Sequence, residues 1–484
     1  MDAAVGDAGR CGSTGLGHLR RRGARTDRAD PARLGRRRQL RQTHRDGELV
    51  VTLVTFSLFT LILLILLLAS GLWIAIALMT TGISGLYIMG GLKPLLALGS
   101  ISWNTIDSFT LIPVPLFIVM GAIILRCGIA ERFYAALAVW LRFLPGGLLQ
   151  SNIIACSIFA AACGSSVATA GTIGTVTIPQ LQQRGYSNPM IFGSLAAGGT
   201  LGILIPPSIV MIIYCSIVDQ SVATMFIAGI MPGLALAAIF MGYIAIRSLL
   251  DPSVAPVEPP KPGERSLRSL LDILPLMGLI SFVMASIYLG WATATEAAAI
   301  GVVAAYAIAL LYGGLTWNNV KLAHVEAVRT TCMVLFIVVS AQVFSYALVY
   351  SGVSRALTEY VIALQLPPFV LFMAIMGLYL GLGCLIDGSS MMLLTLPVLY
   401  PIVQAAHFDL IWFGVIVVVL IEIGMITPPI GLNLFVLHAM GNGRPFSEVV
   451  RGSMPYVALM LIFLIVMWFE PGIVLWLPNH MTAK

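Results

Sequence analysis

From Val50 onward the chain is a succession of apolar runs separated by short polar breaks, and runs of about 20 apolar residues are what the hydrocarbon layer of a bilayer demands of a helix. The pattern predicts membrane spans near 50–69, 71–91, 110–127, 224–247, 271–289, 292–313, 325–350 and 454–477. Between Ile129 and Phe143 the run turns amphipathic, with Glu131, Arg132 and Arg142 on it, and is expected at the membrane interface. Four further runs are interrupted. Residues 148–181 break at Gly164-Ser165-Ser166, and 368–405 at Asp387-Gly388-Ser389-Ser390; the pieces are too short to cross comfortably, so each run reads as a re-entrant helical hairpin. Residues 186–218 are broken by Pro206-Pro207 and residues 411–440 by Pro428-Pro429. A proline pair neither completes the helix before it nor leaves the preceding residue free to be helical, so both read as broken membrane helices.

The interruptions are related. An offset of 222 residues places Pro179 on Pro401, Gly202 on Gly424, Pro206 on Pro428 and Pro207 on Pro429, while Gly164-Ser165-Ser166 falls on Gly388-Ser389-Ser390 at 224, a slip of two residues within the hairpin. Paired interrupted segments in two halves point to the binding site of a secondary transporter. The Pro-rich, charged stretch after Leu250 is a solvated linker dividing the halves. Residues 1–48 are then a disordered Arg-rich extension, 49–247 the first half, 248–270 a cytoplasmic linker and 271–484 the second half.

Composition agrees with the pattern. Of 484 residues, 59% are hydrophobic and 10% charged, against about 25% charged in a soluble domain. The net charge of +6 sits wholly in residues 1–48, with 12 arginines and 6 acids; the remainder carries 15 basic and 15 acidic residues. A nucleic-acid binder needs a clustered basic face to neutralise phosphates, so that class is excluded for the body of the chain. No Cys-x-x-Cys pair, His-x-x-x-His pair or phosphate-binding Gly-x-x-x-x-Gly-Lys-Ser/Thr loop occurs, which leaves metal-site and ATP-driven chemistry without support.

Ten spans, two hairpins returning to their own side and an outside N-terminus place Arg126, Arg132, Arg142, Arg184, Arg247, Lys261, Arg265, Arg268, Lys321, Arg329, Arg444 and Arg451 inside, and only Lys93, Arg355 and Lys484 outside. This positive-inside bias puts the first hairpin on the cytoplasmic side and the second opposite, so the repeats are inverted. The 12-arginine tail conflicts with an outside N-terminus, and an over-extended start is the expected reason.

Free backbone groups at membrane depth are tolerated only inside protein or along a cavity, so the hairpin tips and Pro-Pro breaks are where chemistry is expected. Ser166 or a neighbour can cap the second helix of its hairpin, and Thr427 before Pro428 has the N-cap and N1-proline arrangement that starts a new half-helix. Such N-termini suit a carboxylate, and the carbonyls ending the preceding half-helix suit sodium. Asp387 adjoins a tip, either as a cation ligand or as a capping carboxylate; Glu422 and Glu296 either serve an ion or bond neighbouring backbone; Asp107 and Asp219 read as loop residues.

The runs GSSVATAGTIGTVTIPQLQQRGYS, GTLGILIPPSIVMIIY, ATATEAAAIGVV and FGVIVVVLIEIGMITPPIGLNLFV resemble signature segments of the large membrane subunit of tripartite ATP-independent periplasmic (TRAP) transporters, a resemblance covering nearly all of Val50 to Trp476. It implies an all-α polytopic protein of the bacterial inner membrane with elevator-type transport and scaffold domains, importing an organic acid with sodium. Its implied partners are a separate small four-span membrane subunit, a periplasmic binding protein and membrane lipid, and it implies no catalytic activity. Carried onto this sequence, the ion and substrate region falls at Gly164, Ser165, Ser166, Gly202, Pro206, Pro207, Asp387, Gly388, Ser389, Gly424, Thr427 and Pro428, with sodium at Ser165, Ser166, Asp387 and Thr427. Two other readings stay open: a stand-alone divalent-anion/sodium symporter, and an intramembrane enzyme, for which no Ser/His/Asp set recurs. A chain beginning near Val50 is expected to insert and transport as well as the full-length one; intact-mass measurement of the natively expressed protein tests the start, and a mass that includes residues 1–48 contradicts it.

Overall fold

A computed structural model describes residues 54–256, 267–384, 386–441 and 443–481. Phe56–Lys484 forms one compact unit; the other, Met1–Thr55, lies almost wholly outside the described residues, as do the proposed extension 1–48 and residues 257–266 of the linker. The described chain is helical, as its apolar runs require of backbone in a bilayer. Helix α1 is Val54–Ala69. There follow α2 (Ile74–Gly90), α3 (Leu98–Ile106), α4 (Pro113–Arg126), α5 (Ile129–Leu141), α6 (Leu148–Cys163), α7 (Ser166–Gln183), α8 (Asn188–Leu204), α9 (Ile209–Val218) and α10 (Val222–Leu250). After the linker come α11 (Leu267–Tyr288), α12 (Ala294–Leu311), α13 (Trp317–Ser351), α14 (Val353–Ala363), α15 (Pro368–Gly383), α16 (Gly388–Ala405), α17 (Leu410–Met425), α18 (Leu432–Ala439), α19 (Phe446–Phe469) and α20 (Gly472–Met481).

Among the described residues, eight stretches are long and apolar enough to cross a membrane. They match the expected spans with four differences. Helices α1, α2 and α17 are apolar but shorter than a full span, and α16, expected as half a hairpin, is itself long enough. The last span begins at Phe446 rather than near 454, and α13 at Trp317 rather than near 325. Helices α3, α14 and α20 were not anticipated, because they are short and their sequences read as continuations or connections of neighbouring spans. The amphipathic stretch after Ile129 is α5, whose Ile129, Ala130, Phe133, Tyr134 and Leu137 are buried.

Helix boundaries refine the sequence offset. Helix α7 shifted by 222 residues gives the bounds of α16, and their N-caps, Ser165 and Asp387, coincide at that offset. The two-residue slip inferred from aligning Gly-Ser-Ser on Gly-Ser-Ser is therefore wrong: in the second hairpin those residues already lie inside the helix, and Asp387 occupies the capping position that Ser165 holds in the first. A carboxylate and a hydroxyl both accept the N–H of the third helical residue, so the motif is kept while its letters change.

Two helices form the centre. Helix α8 is buried from Met190 to Leu204, and α17 from Ile411 to Met425; a helix apolar on every side is one enclosed by others. They pack on one another, with α6, α7 and α19 around α8 and α15, α16 and α19 around α17. Close approach depends on glycine: Gly193 of α8 lies against the Gly452 backbone of α19. Trp412 and Trp468, with Phe369, Phe372 and Phe408, form an aromatic cluster over α15, α17 and α19, and the Trp412 indole N–H donates to the Met467 carbonyl at 3.1 Å. Beyond α10, Asp251 accepts from the backbone and hydroxyl of Ser253, which holds its carboxyl below the usual range, and Ser187 at the head of α8 donates to the Val254 carbonyl at 3.1 Å.

Gly193→Val is expected to lower the thermal unfolding midpoint in detergent, since overpacking a tight helix contact costs about 1–3 kcal/mol. Gly377→Val, where nothing lies within 4 Å of an added Cβ, is the control expected to leave it unchanged. Equal midpoints for the two variants would contradict the glycine contact between α8 and α19.

Candidate functional site

Each interruption ends one helix and starts another with its own side chain. Helix α6 stops at Gly164, whose φ of +61° is reached at no steric cost only without a Cβ, and its N–H donates to the Ala160 carbonyl at 2.8 Å. Ser165 is extended, and its hydroxyl accepts from the Ala168 N–H at 3.4 Å, capping α7. In the second hairpin α15 ends at Gly383, and Asp387 caps α16 by accepting from the Ser390 N–H at 3.1 Å. Asp387 thus takes the capping role. Glu296 closes a capping box with Thr293 at the head of α12, remote in sequence from either tip.

Both Pro-Pro bonds, Pro206–Pro207 and Pro428–Pro429, are cis. Ser208 caps α9 by accepting from the Met211 N–H at 3.4 Å. The expectation that Thr427 caps the following helix is overturned: Gly431 is the N-cap of α18, and the Thr427 hydroxyl turns back to donate to the Ile423 carbonyl at 2.6 Å. Thr427 therefore finishes α17 instead of starting α18, because two prolines and two further residues separate it from the new helix.

Each tip lies against the break of its own half. A Cβ added to Gly164 would meet the Pro207 carbonyl oxygen at 3.2 Å, and one on Gly202 would meet the Ser166 Cα at 3.0 Å. In the second half the Cys384 thiol donates to the Pro428 carbonyl at 3.1 Å, and a Cβ on Gly424 would fall 2.7 Å from the Gly383 Cα. Gly202 and Gly424, equivalent at the common offset, thus do the same job: they let a broken helix touch its hairpin.

Two polar contacts then join the halves. Asn433 on α18 donates its amide N–H to the Ser166 hydroxyl at 2.7 Å. Glu422, wholly buried on α17, accepts from the Ile203 N–H of α8 at 3.2 Å, and Thr200, whose hydroxyl donates to the Ala197 carbonyl at 2.6 Å, lies near its carboxyl. Positions 200 and 422 are equivalent at the same offset, so the two halves meet here at matching positions. Packing is exchanged as well, α7 lying on α18 and α16 on α9.

Of the residues expected here, Gly164, Ser165, Ser166, Gly202, Pro206 and Pro207 gather at the first tip and break; Gly388 and Ser389 in the first turn of α16 join Asp387, Gly424, Thr427 and Pro428 at the second. Sequence reasoning missed Asn433, Cys384 and Ser208. Asn433 had a signal, being an amide within the apolar run of α18, but only the fold shows that it reaches Ser166. Ser390 Oγ and Asn433 Oδ1 are buried without a protein partner, leaving acceptor oxygens turned inward at the two tips. Among the described residues no three His, Cys, Asp or Glu side chains gather. The chemistry on offer is that of hydroxyls, one carboxylate, backbone carbonyls and helix N-termini.

Residues 61–473 match the family described as tripartite ATP-independent periplasmic transporter, DctM component. The chain belongs to the TRAP transporter family. Within it, the chain is similar to large permease proteins: it is 34% identical over 382 residues to the C4-dicarboxylate TRAP transporter large permease protein DctM of Pseudomonas aeruginosa, covering 78% of this chain and 88% of that one. To the sialic acid TRAP transporter large permease protein SiaM of Vibrio cholerae it is 30% identical, covering 77% and 87%. Its fold resembles that of MtrF of Neisseria gonorrhoeae, with a TM-score of 0.60 at 14% identity over 81% of this chain and 85% of that one. As a TRAP large permease the chain is a transporter and not an enzyme, and it resides in the inner membrane as a multi-pass protein.

Asn433→Ala and Ser166→Ala are each expected to destabilise the folded permease by about 1 kcal/mol, the usual net worth of a hydrogen bond, and to do so non-additively when combined. Unfolding midpoints of the two single variants and the double variant measure the coupling; additive losses would refute a direct link.

Proposed function

We propose that this TRAP permease imports an organic acid across the inner membrane, driven by sodium, taking its substrate from a periplasmic binding protein and working with a small four-span membrane subunit. The observation that supports this most directly is the joining of both interrupted pairs through Asn433 and Ser166. Two hairpin tips and two breaks are then linked, which is the arrangement secondary transporters use for substrate and ion. The halves are read as inverted repeats, with the hairpins and broken helices forming an elevator-type transport domain that moves against a scaffold.

Sodium is assigned to Ser165, Ser166, Asp387 and Thr427. A hard cation takes oxygen ligands, and these residues bring hydroxyl and carboxylate oxygens close to helix ends, where the last carbonyls have no partner within their own helix. Thr427 fits as a ligand because its hydroxyl gives its proton to Ile423 and keeps its lone pairs free. The capping N–H of Ser390 leaves Asp387 further lone pairs. The substrate carboxylate is assigned to the N-terminal turns of α7 and α16, where free N–H groups and the helix dipole favour an anion. Gly388 and Ser389 supply that turn in α16; Gly202 and Gly424 hold the breaks close. The names of the relatives, a C4-dicarboxylate and a sialic acid permease, support a carboxylate substrate.

Asp387→Asn is expected to weaken sodium activation of uptake by reconstituted permease severalfold while protein abundance changes little, since an amide still caps the helix but carries no charge. Unchanged sodium dependence would give Asp387 a purely structural role. Uptake of succinate and of sialic acid by the chain in liposomes without any binding protein would overturn the tripartite reading in favour of a stand-alone symporter.

A further inference from the structure

Helix α3 carries its polarity the wrong way round for a helix packed on an apolar core. Ile101, Asn104 and Thr105 share one face, and Ser108 follows one turn later just past the end of the helix. All four line a cavity of about 280 Å³. On the opposite side Trp103 and Ile106 are exposed. An amphipathic helix in water buries its apolar stripe and exposes its polar one. This one turns apolar side chains outward, as suits a membrane boundary, and its amide and hydroxyls toward the cavity.

The other walls come from α9 and α13, which add Ser216 and Gln342. Ser216 lies eight residues after the α9 cap Ser208, about 12 Å along the helix from the first break, so the cavity is separate from the hairpin tips. None of the residues lining it is charged. Their hydrogen-bonding capacity is specific. The Thr105 hydroxyl donates to the Ile101 carbonyl at 2.7 Å and the Ser216 hydroxyl to the Ile213 carbonyl at 2.8 Å, so each has spent its proton and can only accept. Among the described residues, the side chains of Asn104, Ser108 and Gln342 have no protein partner, and each can both donate and accept. A bare carboxylate is acceptor-only and leaves Thr105 and Ser216 unsatisfied; a group that donates and accepts at once satisfies all five. The volume is close to the lower end of small-molecule sites, about 300–1,000 Å³.

We propose that the cavity between α3, α9 and α13 is a second substrate subsite, one that holds the hydroxyl groups of a polyhydroxylated organic acid. Thr105 and Ser216 accept from those hydroxyls, and Asn104, Ser108 and Gln342 donate to them. The proposal rests on the reading of this chain as an organic-acid importer and narrows its substrate to acids rich in hydroxyls. By the positive-inside bias that leaves Lys93 outside, the connection from α2 through α3 to α4 faces outward, which puts the subsite on the side from which substrate arrives.

Thiol protection tests the subsite without requiring transport, so its failure is distinguishable from failure of the sodium-driven uptake reading. Ser108→Cys is made in the full-length permease carrying Cys332→Ser, Cys332 being an exposed native thiol. Its reaction with a methanethiosulfonate is timed in detergent against the Cys332→Ser parent, with the sodium salt of chloride, succinate, gluconate or sialic acid present. Gluconate or sialic acid should slow the reaction severalfold, and succinate, which has no hydroxyl beyond its carboxyl groups, should leave it unchanged. Adding Ser216→Ala and Gln342→Leu should abolish the slowing. At Thr358→Cys, in a different cavity beside α14, no anion should change the rate. Asn104→Cys replaces Ser108→Cys if the latter fails to accumulate. Equal slowing by succinate would assign recognition to the carboxylate and overturn the proposal. So would no slowing by either hydroxylated acid, slowing that survives Ser216→Ala with Gln342→Leu, or slowing of equal size at Thr358→Cys.

Discussion

Backbone that is not helical has to be hydrogen-bonded inside the membrane, and four interruptions of apolar runs make that demand at once. The fold answers it locally first. Ser165, Asp387 and Ser208 each accept the N–H of the third residue of the helix they begin, and Gly164 returns its own N–H to the helix it ends. A break carbonyl is met from the hairpin beside it, Cys384 reaching the Pro428 carbonyl, and the Asn433 side chain ties the helix after the second break to Ser166 at the first tip. An arrangement in which each break stood alone would leave several buried polar groups without partners, each costing about 1–3 kcal/mol. The same groups that must be satisfied in the resting protein are those a carboxylate and a sodium ion can occupy.

Close packing makes this convergence possible. Gly202 against Ser166 and Gly424 against Gly383 remove the side-chain layer between each broken helix and its hairpin, so that polar backbone rather than apolar side chain lines the junction. Enclosure of α8 and α17 by other helices then fixes the two breaks relative to each other, with Glu422 bonded to Ile203 where the two helices meet. An asymmetry is laid over this near-symmetric centre. It comes from α13 and α14, which lie over α16 of one hairpin without equivalents of comparable contact on α7 of the other.

Much of this was legible in the chain itself. Apolar run length fixed the helical class and the approximate spans, since a bilayer admits few other solutions; glycine, proline and serine marked the interruptions, since their backbone constraints do not depend on neighbours. The offset of 222 located equivalent positions before any coordinates. Sequence matching erred where letters and geometry diverge: Gly-Ser-Ser aligned with Gly-Ser-Ser, although Ser165 and Asp387 hold the equivalent caps. Thr427 looked like a cap because it precedes a proline, and proves to end the earlier helix. Short helices such as α3 and α14 escaped because they carry too few residues for their periodicity to stand apart from adjacent spans.

The sequence by itself determined which segments enter the membrane, where they are broken, which break corresponds to which, and the family to which the chain is similar, because these follow from transfer of apolar side chains, from backbone constraint and from order along the chain. Only the tertiary structure decided that Asn433 meets Ser166, that Glu422 lies near Thr200, that Gly424 lies on Gly383, and that α13 and α14 lie over α16. Those pairings join residues far apart in sequence, Asn433 and Ser166 by 267 positions. Such contacts depend on where helices cross, and the crossing is set by the fit of many side chains at once rather than by any local pattern.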